Sequence, residues 1–175
     1  SHEAVISVLE KLKKGQYTVE KHLKLQTKIG RKTLLCANDF ILRNKDPTFA
    51  LRYTVWVNNK RLGSFIGDGI VASTPFGSTA YFYSIAKKSF KKGIGLAFNN
   101  VTTKLRERIV HEQSVIKIRI DREQAIFATD NDHRLHIIKP GTVITIKKSA
   151  KPAHFVKIKT SFAEKWFKGR RTSFS

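Results

Sequence analysis

The residues best suited to chemistry fall in one run: Gly67-Asp68-Gly69-Ile70-Val71-Ala72-Ser73-Thr74-Pro75-Phe76-Gly77-Ser78-Thr79-Ala80-Tyr81. Gly67 and Gly69 permit backbone shapes and close approaches denied to other residues. Ile70, Val71 and Ala72 predict a short apolar strand. Ser73 to Ser78 then place hydroxyls, a proline and a glycine in one loop, and a helix is expected from about Ser78 or Thr79. A loop entering a helix offers unpaired N–H groups and the positive end of the dipole, and serine and threonine hydroxyls can donate or accept. Such a turn suits the polar edges of a nucleotide. The residues alone leave two readings open, a ligand cradle or a capped helix start with Ser78 or Thr79 as N-cap. A Walker A loop is excluded, since no Gly-Lys-Ser/Thr follows.

The elements around this loop are mostly strands. Ala4, Val5, Val8, Leu9 and Leu12 recur at helical spacing, with Gly15 as a stop. From Tyr17 to Gln26 the period becomes two, predicting a half-buried strand. A turn at Gly30-Arg31-Lys32 leads to a second strand, Thr33 to Leu42, with Asn38 and Asp39 inside it. The alternation of Leu51, Tyr53, Val55 and Val57 predicts a hairpin turning at Asn58-Asn59-Lys60 and returning through Leu62 and Phe65. One clear helix is expected from Thr79 to Lys92, stopped by Gly93, with Phe82 and Tyr83 in the core. Short strands follow near 115–120, 125–128, 135–138, 143–146 and 155–158, with turns at Asp130-Asn131-Asp132 and Lys139-Pro140-Gly141. The fold class is mainly β (a β-rich α+β chain): a layered, multi-stranded antiparallel β-sandwich with about two helices. One domain is expected over residues 1–163, followed by a basic tail at 164–175.

Composition narrows the function classes. The 175 residues are 41% hydrophobic, enough for a core, so a wholly disordered chain is excluded. No apolar run approaches the roughly 20 residues needed to cross a bilayer, so no membrane partner is expected and the localisation is read as cytoplasmic. Cys36 is the single cysteine, which excludes an internal disulfide framework, and it reads as a small buried hydrophobe. Of six histidines only His133 and His136 are spaced closely, and on a strand they face opposite ways, so no metal site is expected. With 34 Lys+Arg against 13 Asp+Glu, the formal charge is +21. Anionic partners are favoured, but no nucleic-acid motif accompanies the charge, so nucleic acid is expected to bind only nonspecifically. Methionine is absent throughout, position 1 included, and residues 1–175 are expected to be a piece of something longer.

The whole run from Gly67 to Tyr81 resembles the GDGxxxSTPxGSTAY signature of the NAD kinase family. The likeness extends over about residues 3–160. It takes in Ala37-Asn38-Asp39-Phe40-Ile41, which is similar to the family's Asn-Glu motif, and Gly93 to Asn100 and Ser114 to Asp121, which are similar to its later strands. The resemblance implies the β-rich C-terminal, NAD-binding domain of an enzyme that moves a phosphoryl group from ATP or polyphosphate to the 2′-hydroxyl of the adenosine ribose of NAD, giving NADP. It also implies Mg²⁺ or another divalent metal, and a homo-oligomer, dimer or tetramer. The family's Gly-Gly-Asp-Gly motif, which carries the catalytic aspartate, does not occur here. An N-terminal catalytic domain is therefore an expected partner, no catalytic residue is assigned to this chain, and the isolated chain is expected to be inactive.

The same resemblance assigns the binding residues. Asn38 and Asp39 would meet the ribose hydroxyls, with Asp39 one methylene shorter than the family's usual glutamate. Thr79, Ala80 and Tyr81 would contact adenine through hydroxyl, backbone and ring, and Ser84 would face the same pocket. Phe76, where relatives often carry a hydroxyl residue, would pack on a ring or on the missing domain. Asp68 would reach ligand across a subunit interface. Leu96 and Phe98 would line a neighbouring subunit's pocket, although both read equally well as core. Asp121 and Arg122 fall where some relatives place an Asp-His pair near the ligand.

Overall fold

The computed structural model describes residues 2–130 and 132–158. These fall into two compact units, one drawn from residues 1–22 and 154–175, the other from residues 23–153. The expected boundary at residue 163 and the basic tail lie outside the described residues.

In the smaller unit, α1 (His2–Lys13) follows the predicted periodicity, yet none of its residues is buried. The strands β1 (Thr18–His22) and β14 (Ala153–Lys157) form a two-stranded sheet. Lys157 Nζ donates to Glu20 at 2.6 Å, and the His22 and Phe155 rings meet edge-on at 5.0 Å.

The larger unit is an antiparallel sandwich of two six-stranded sheets. The first sheet has the order β3-β2-β13-β10-β5-β6, from β2 (Leu25–Ile29), β3 (Lys32–Cys36), β5 (Leu51–Val57), β6 (Lys60–Gly67), β10 (Ile116–Arg122) and β13 (Val143–Lys148). The second has the order β12-β11-β4-β7-β8-β9, from β4 (Asp39–Asn44), β7 (Gly69–Ser73), β8 (Ile94–Asn99), β9 (Glu107–Val110), β11 (Ala125–Thr129) and β12 (His136–Ile138). Alternation decides which side faces in. Ile116, Ile118 and Ile120 are buried while Lys117, Arg119 and Asp121 point the other way, and Leu51, Tyr53 and Val55 do the same on β5.

Inward residues of both sheets share one core. Phe65 of the first sheet stacks on Phe98 of the second at 4.4 Å, and the buried Tyr53 hydroxyl donates to the Gly69 carbonyl at 2.8 Å. The fold class read from the sequence is the one observed. The 51–65 hairpin is also as expected, with Asn58 and Asn59 both at positive φ (51° and 65°), where asparagine is tolerated.

Three expectations change. The strands predicted over Tyr17–Gln26 and Thr33–Leu42 each divide, into β1 and β2 and into β3 and β4. The second break, at Ala37-Asn38, is the point where the chain leaves the first sheet for the second. The helix predicted from Thr79 to Lys92 shrinks to a 3₁₀ turn, Gly77–Thr79, and one short helix, α2 (Tyr81–Ala86). Lys87 ends it in a left-handed conformation, φ 57°, which turns the chain so that Phe90 packs against Phe82 at 5.0 Å. Tyr83, expected in the core, is half exposed because α2 buries only Phe82.

The chain passes between sheets at Asp68, and Gly69 then sits at φ +148° with its Cα pressed on the Leu42 carbonyl of β4. A side chain there meets both a strained dihedral and occupied space. Gly69→Ala is expected to lower unfolding free energy by at least about 2 kcal/mol. Urea denaturation followed by tryptophan fluorescence measures it, and a loss under a few tenths would disprove the packing argument.

Candidate functional site

The site grows from two places where the chain changes direction at one rim of the sandwich: residues 37–39, between β3 and β4, and residues 73–78, leaving β7. β4 and β7 are paired so that Asp39 lies opposite Ser73, and β4 and β11 so that Phe40 lies opposite Thr129. The turn at 37–39 is thereby flanked by the signature loop on one side and by Asp130 on the other.

Every backbone polar group of this turn has a partner. The Asp130 carboxylate accepts the N–H of Ala37 through Oδ2 (2.9 Å) and those of Asn38 and Asp39 through Oδ1 (2.8 and 3.0 Å). The Asp130 N–H donates back to the Asp39 carbonyl at 2.9 Å. From the other side, the Thr74 hydroxyl donates to the Ala37 carbonyl (2.5 Å) and the Thr74 N–H to the Asn38 carbonyl (2.8 Å). Gly77 closes the lock: its N–H donates to the Thr74 hydroxyl at 3.0 Å, and its Cα lies so near the Asn38 backbone that a Cβ has no room.

The side chains of Asn38 and Asp39 are in the opposite condition. Neither has a hydrogen-bond or ion-pair partner among the described residues. Asp39 is nonetheless buried, with 4% of its surface exposed. Burial, and secondarily the nearby Asp130 charge, push its carboxyl up to about 6. The same burial, with Asp130 and Asp39 beyond it, pushes the Cys36 thiol up as well, so the buried Cys36 is an inert thiol.

The hydroxyls of the loop do less than the sequence suggests. Ser73 Oγ donates to the Thr74 carbonyl, Thr74 is spent on Ala37, and Ser78 Oγ donates to the carbonyls of Pro75 and Phe90. Ser78 thereby ties the loop to the segment after α2. It caps nothing, and neither does Thr79; Ala80 stands at the N-cap of α2 with no side-chain cap. The expected helix-terminus cradle is thus replaced by a knot of side-chain-to-backbone bonds. Thr79 is exposed and its hydroxyl has no partner among the described residues, next to exposed Ala80 and Phe76. Tyr81 is half buried, packed against Val71, Phe82, Phe90 and Ala97, and its hydroxyl accepts from Asn99 Nδ2 at 3.4 Å. Ser84 Oγ donates to the Tyr81 carbonyl at 2.7 Å and so serves the helix first.

The remaining expected residues lie elsewhere. Leu96 and Phe98 are 0% and 1% exposed in the sandwich core, so of their two readings the structure supports core and leaves no side-chain surface for a pocket. Asp121 sits on β10 in the other sheet, where its carboxylate already accepts from Thr54 Oγ1 (2.6 Å) and Arg119 Nε (2.7 Å). Arg122 is exposed and pairs with Glu123 at 3.3 Å. Asp68 is exposed at the crossing between sheets and accepts from Asn100 Nδ2 at 3.3 Å. Sequence reasoning missed the role of Asp130, and it read Thr74 only as one of the loop's hydroxyls, not as the group that holds the turn at 37–39. Asp130 lies in a segment read as a plain turn; only the pairing of β11 with β4 brings it to residues 37–39.

The class of protein follows from what the knot leaves over: an antiparallel β-sandwich domain with uncommitted side chains at an interlocked rim, beside a short helix whose start carries no side-chain cap. Comparison with known proteins refines this. Residues 37–158 match the family described as the ATP-NAD kinase C-terminal domain, and the chain belongs to that family. It is 29% identical over 161 residues to the NAD kinase of Chlorobium limicola, an alignment covering 84% of this chain and 54% of that one. It is 28% identical over 169 residues to the NAD kinase of Methanothermobacter thermautotrophicus, covering 93% and 59%. The chain thus spans little more than half the length of these relatives. Among solved structures, yeast NADH kinase complexed with NADH superposes with a TM-score of 0.79 at 17% identity, covering 98% of this chain and 52% of that one. An NAD kinase from Archaeoglobus fulgidus in complex with ATP gives 0.72 at 19% identity, covering 94% and 65%. At those identities the likeness establishes a shared fold.

The raised Asp39 carboxyl carries a stability consequence. Because its folded pKa lies above its unfolded one, the folded state holds the proton more tightly, so stability is full at low pH and falls as pH rises from about 4 to about 6. Asp39→Asn removes that cost. The variant is expected to be more stable than wild type by about 1–3 kcal/mol at pH 8, with the gap closing below about pH 4. Denaturant titrations at both pH values test this, and an equal or lower stability at pH 8 contradicts it.

Proposed function

We propose that this chain is the part of an NAD kinase that holds the adenosine end of NAD, presenting the ribose 2′-hydroxyl for phosphorylation. The observation that carries the reading is the contrast at residues 37–39, where a fully hydrogen-bonded backbone supports an amide and a carboxyl that none of the described residues engages. A diol is the natural partner for such a pair: an ionised carboxylate accepts two hydroxyl bonds, and an amide donates and accepts. Thr79, Ala80 and Tyr81 then meet adenine through hydroxyl, backbone and ring, and exposed Phe76 packs on a ring. Ser84, bonded to the Tyr81 carbonyl, supports that helix turn.

In the intact enzyme the 2′-oxygen attacks the terminal phosphorus of ATP or polyphosphate, the bond to the leaving phosphate breaks, and the 2′-hydroxyl proton passes to a base. The relatives' extra length is where the catalytic domain supplying that base belongs. This chain's contribution is position: it fixes the acceptor so that a bimolecular step becomes a local one. The described residues contain no group of three or more His, Cys, Asp or Glu side chains able to hold a metal. Asp68, exposed at its crossing, is free to reach ligand in a second copy of a dimer or tetramer. Asp121 and Arg122, on the other sheet, contribute only in that way. The reading makes it a cytoplasmic enzyme of NADP biosynthesis; no helix of the described residues is long and apolar enough to cross a membrane. The net charge of +21 gives nonspecific nucleic-acid affinity that fades as salt rises.

In the full encoded protein, Asn38→Ala with Tyr81→Ala is expected to weaken NAD binding by about 100-fold. Calorimetry measures it, with a short duplex at moderate salt as the control ligand. Unchanged NAD affinity, or tighter binding of the duplex than of NAD, would defeat the reading.

A further inference from the structure

We propose that Asp130 is the positioning residue of this site: its carboxylate holds residues 37–39 in the one shape that presents Asn38 and Asp39 to a ribose diol. The proposal rests on the reading of that pair given above and adds the residue that makes it work.

Three successive N–H groups converging on one carboxylate describe a concave backbone nest, a conformation that ordinarily gathers an anion. Here the anion is internal, brought from about ninety residues away by the pairing of β11 with β4. The nest is therefore filled, and this turn offers a ligand side chains instead of N–H groups. Asp130 is itself held at φ 47°, a left-handed conformation that aspartate accepts but that surrounding structure must enforce. Its own N–H, bonded to the Asp39 carbonyl, closes the clamp on both sides of the turn.

An acid is required at this position. The carboxylate takes one N–H on Oδ2 and two on Oδ1. An asparagine has one oxygen, and its amide nitrogen would face an N–H donor to donor. The positioning charge also acts on Asp39. The groups facing Asp39 are Asp130 at the end of β11, the protonated Cys36 thiol at the end of β3, and Ser73 opposite it on β7. No cation pairs with either carboxylate among the described residues. Asp130 therefore sets the turn while making Asp39 harder to ionise, so that ligand binding is expected to strengthen as pH rises through about 6.

The test is NAD affinity of the full encoded protein from about pH 5 to about pH 8. NAD is the probe because its diphosphate stays ionised, whereas the 2′-phosphate monoester of NADP titrates near pH 6, by about the same value as other phosphate monoesters. Wild type should bind more tightly above the midpoint, and Asp39→Asn should flatten the profile. Asp130→Asn should move the midpoint down by roughly half a unit to one unit and weaken binding about fivefold at pH 8. Asp130→Glu keeps the charge but displaces the acceptor, so it should keep the high midpoint and still lose affinity. This variant decides the matter if Asp130→Asn fails to fold. A purely structural Asp130 would change melting temperature without moving the midpoint, and that result overturns the proposal, as does wild-type affinity in Asp130→Glu. Loss of binding in Asn38→Ala with an unmoved midpoint in Asp130→Asn overturns the positioning role alone. Undiminished binding in Asn38→Ala overturns the ribose reading and this proposal together.

Discussion

Backbone N–H and C=O groups removed from water need partners, and at the rim of a sandwich the residues that change sheets have no ladder to supply them. In this protein two such crossings answer each other. Residues 37–39 carry the chain from the first sheet to the second, and residues 73–77 lead it away from the second. Thr74 spends its hydroxyl and its N–H on the first crossing, Gly77 is bare enough to lie against it, and Asp130 takes the three N–H groups that remain. The rigidity of the site is a by-product of that mutual satisfaction. Once the backbone asks nothing more of its surroundings, the half-buried Asn38 and the buried Asp39 keep side chains that no described residue has to share.

The electrostatics carry the same trade. Asp39 lies buried beside a second carboxylate, with no cation paired to it among the described residues, in a chain whose formal charge is +21. Lysines and arginines are plentiful, and a neighbouring one would have relieved the cost of burial. Among the described residues none pairs with Asp39, which leaves a carboxyl whose hydrogen-bonding capacity is unspent, at some expense to folding stability. That is the usual relation between a strained functional group and the scaffold that tolerates it.

Several features of the fold were legible residue by residue. The Ile116-Ile118-Ile120 alternation, the Asn58-Asn59 turn and the burial of Cys36 follow from period-two patterning and local turn chemistry, and the structure agrees with each. The Gly67–Tyr81 run singles out a loop that the fold ties to residues 37–39, but its hydroxyls are not free in the way the sequence suggests. Those of Ser73, Thr74 and Ser78 are consumed by carbonyls that only the fold brings near. The helix was overestimated because Lys87 to Lys92 has good helix formers, whereas Phe90 gains more by turning inward against Phe82 than by extending the helix. Leu96 and Phe98 carried two readings that no local pattern could separate, and burial against the opposite sheet separated them.

Family resemblance singled out the signature loop and the pair at 38 and 39; the sequence by itself determined the alternation that builds the two sheets and the chemistry of turns such as Asn58-Asn59. These depend on side-chain period and short-range chemistry, which are written in consecutive residues. Tertiary structure alone decided which groups remain free. Whether a hydroxyl or carboxyl is available depends on what lies across from it, and the partners here come from strands tens of residues apart. Asp130, unremarked in a turn of acids and amides, becomes the anchor of the turn at 37–39 only when β11 lies beside β4 and its carboxylate meets the three N–H groups there.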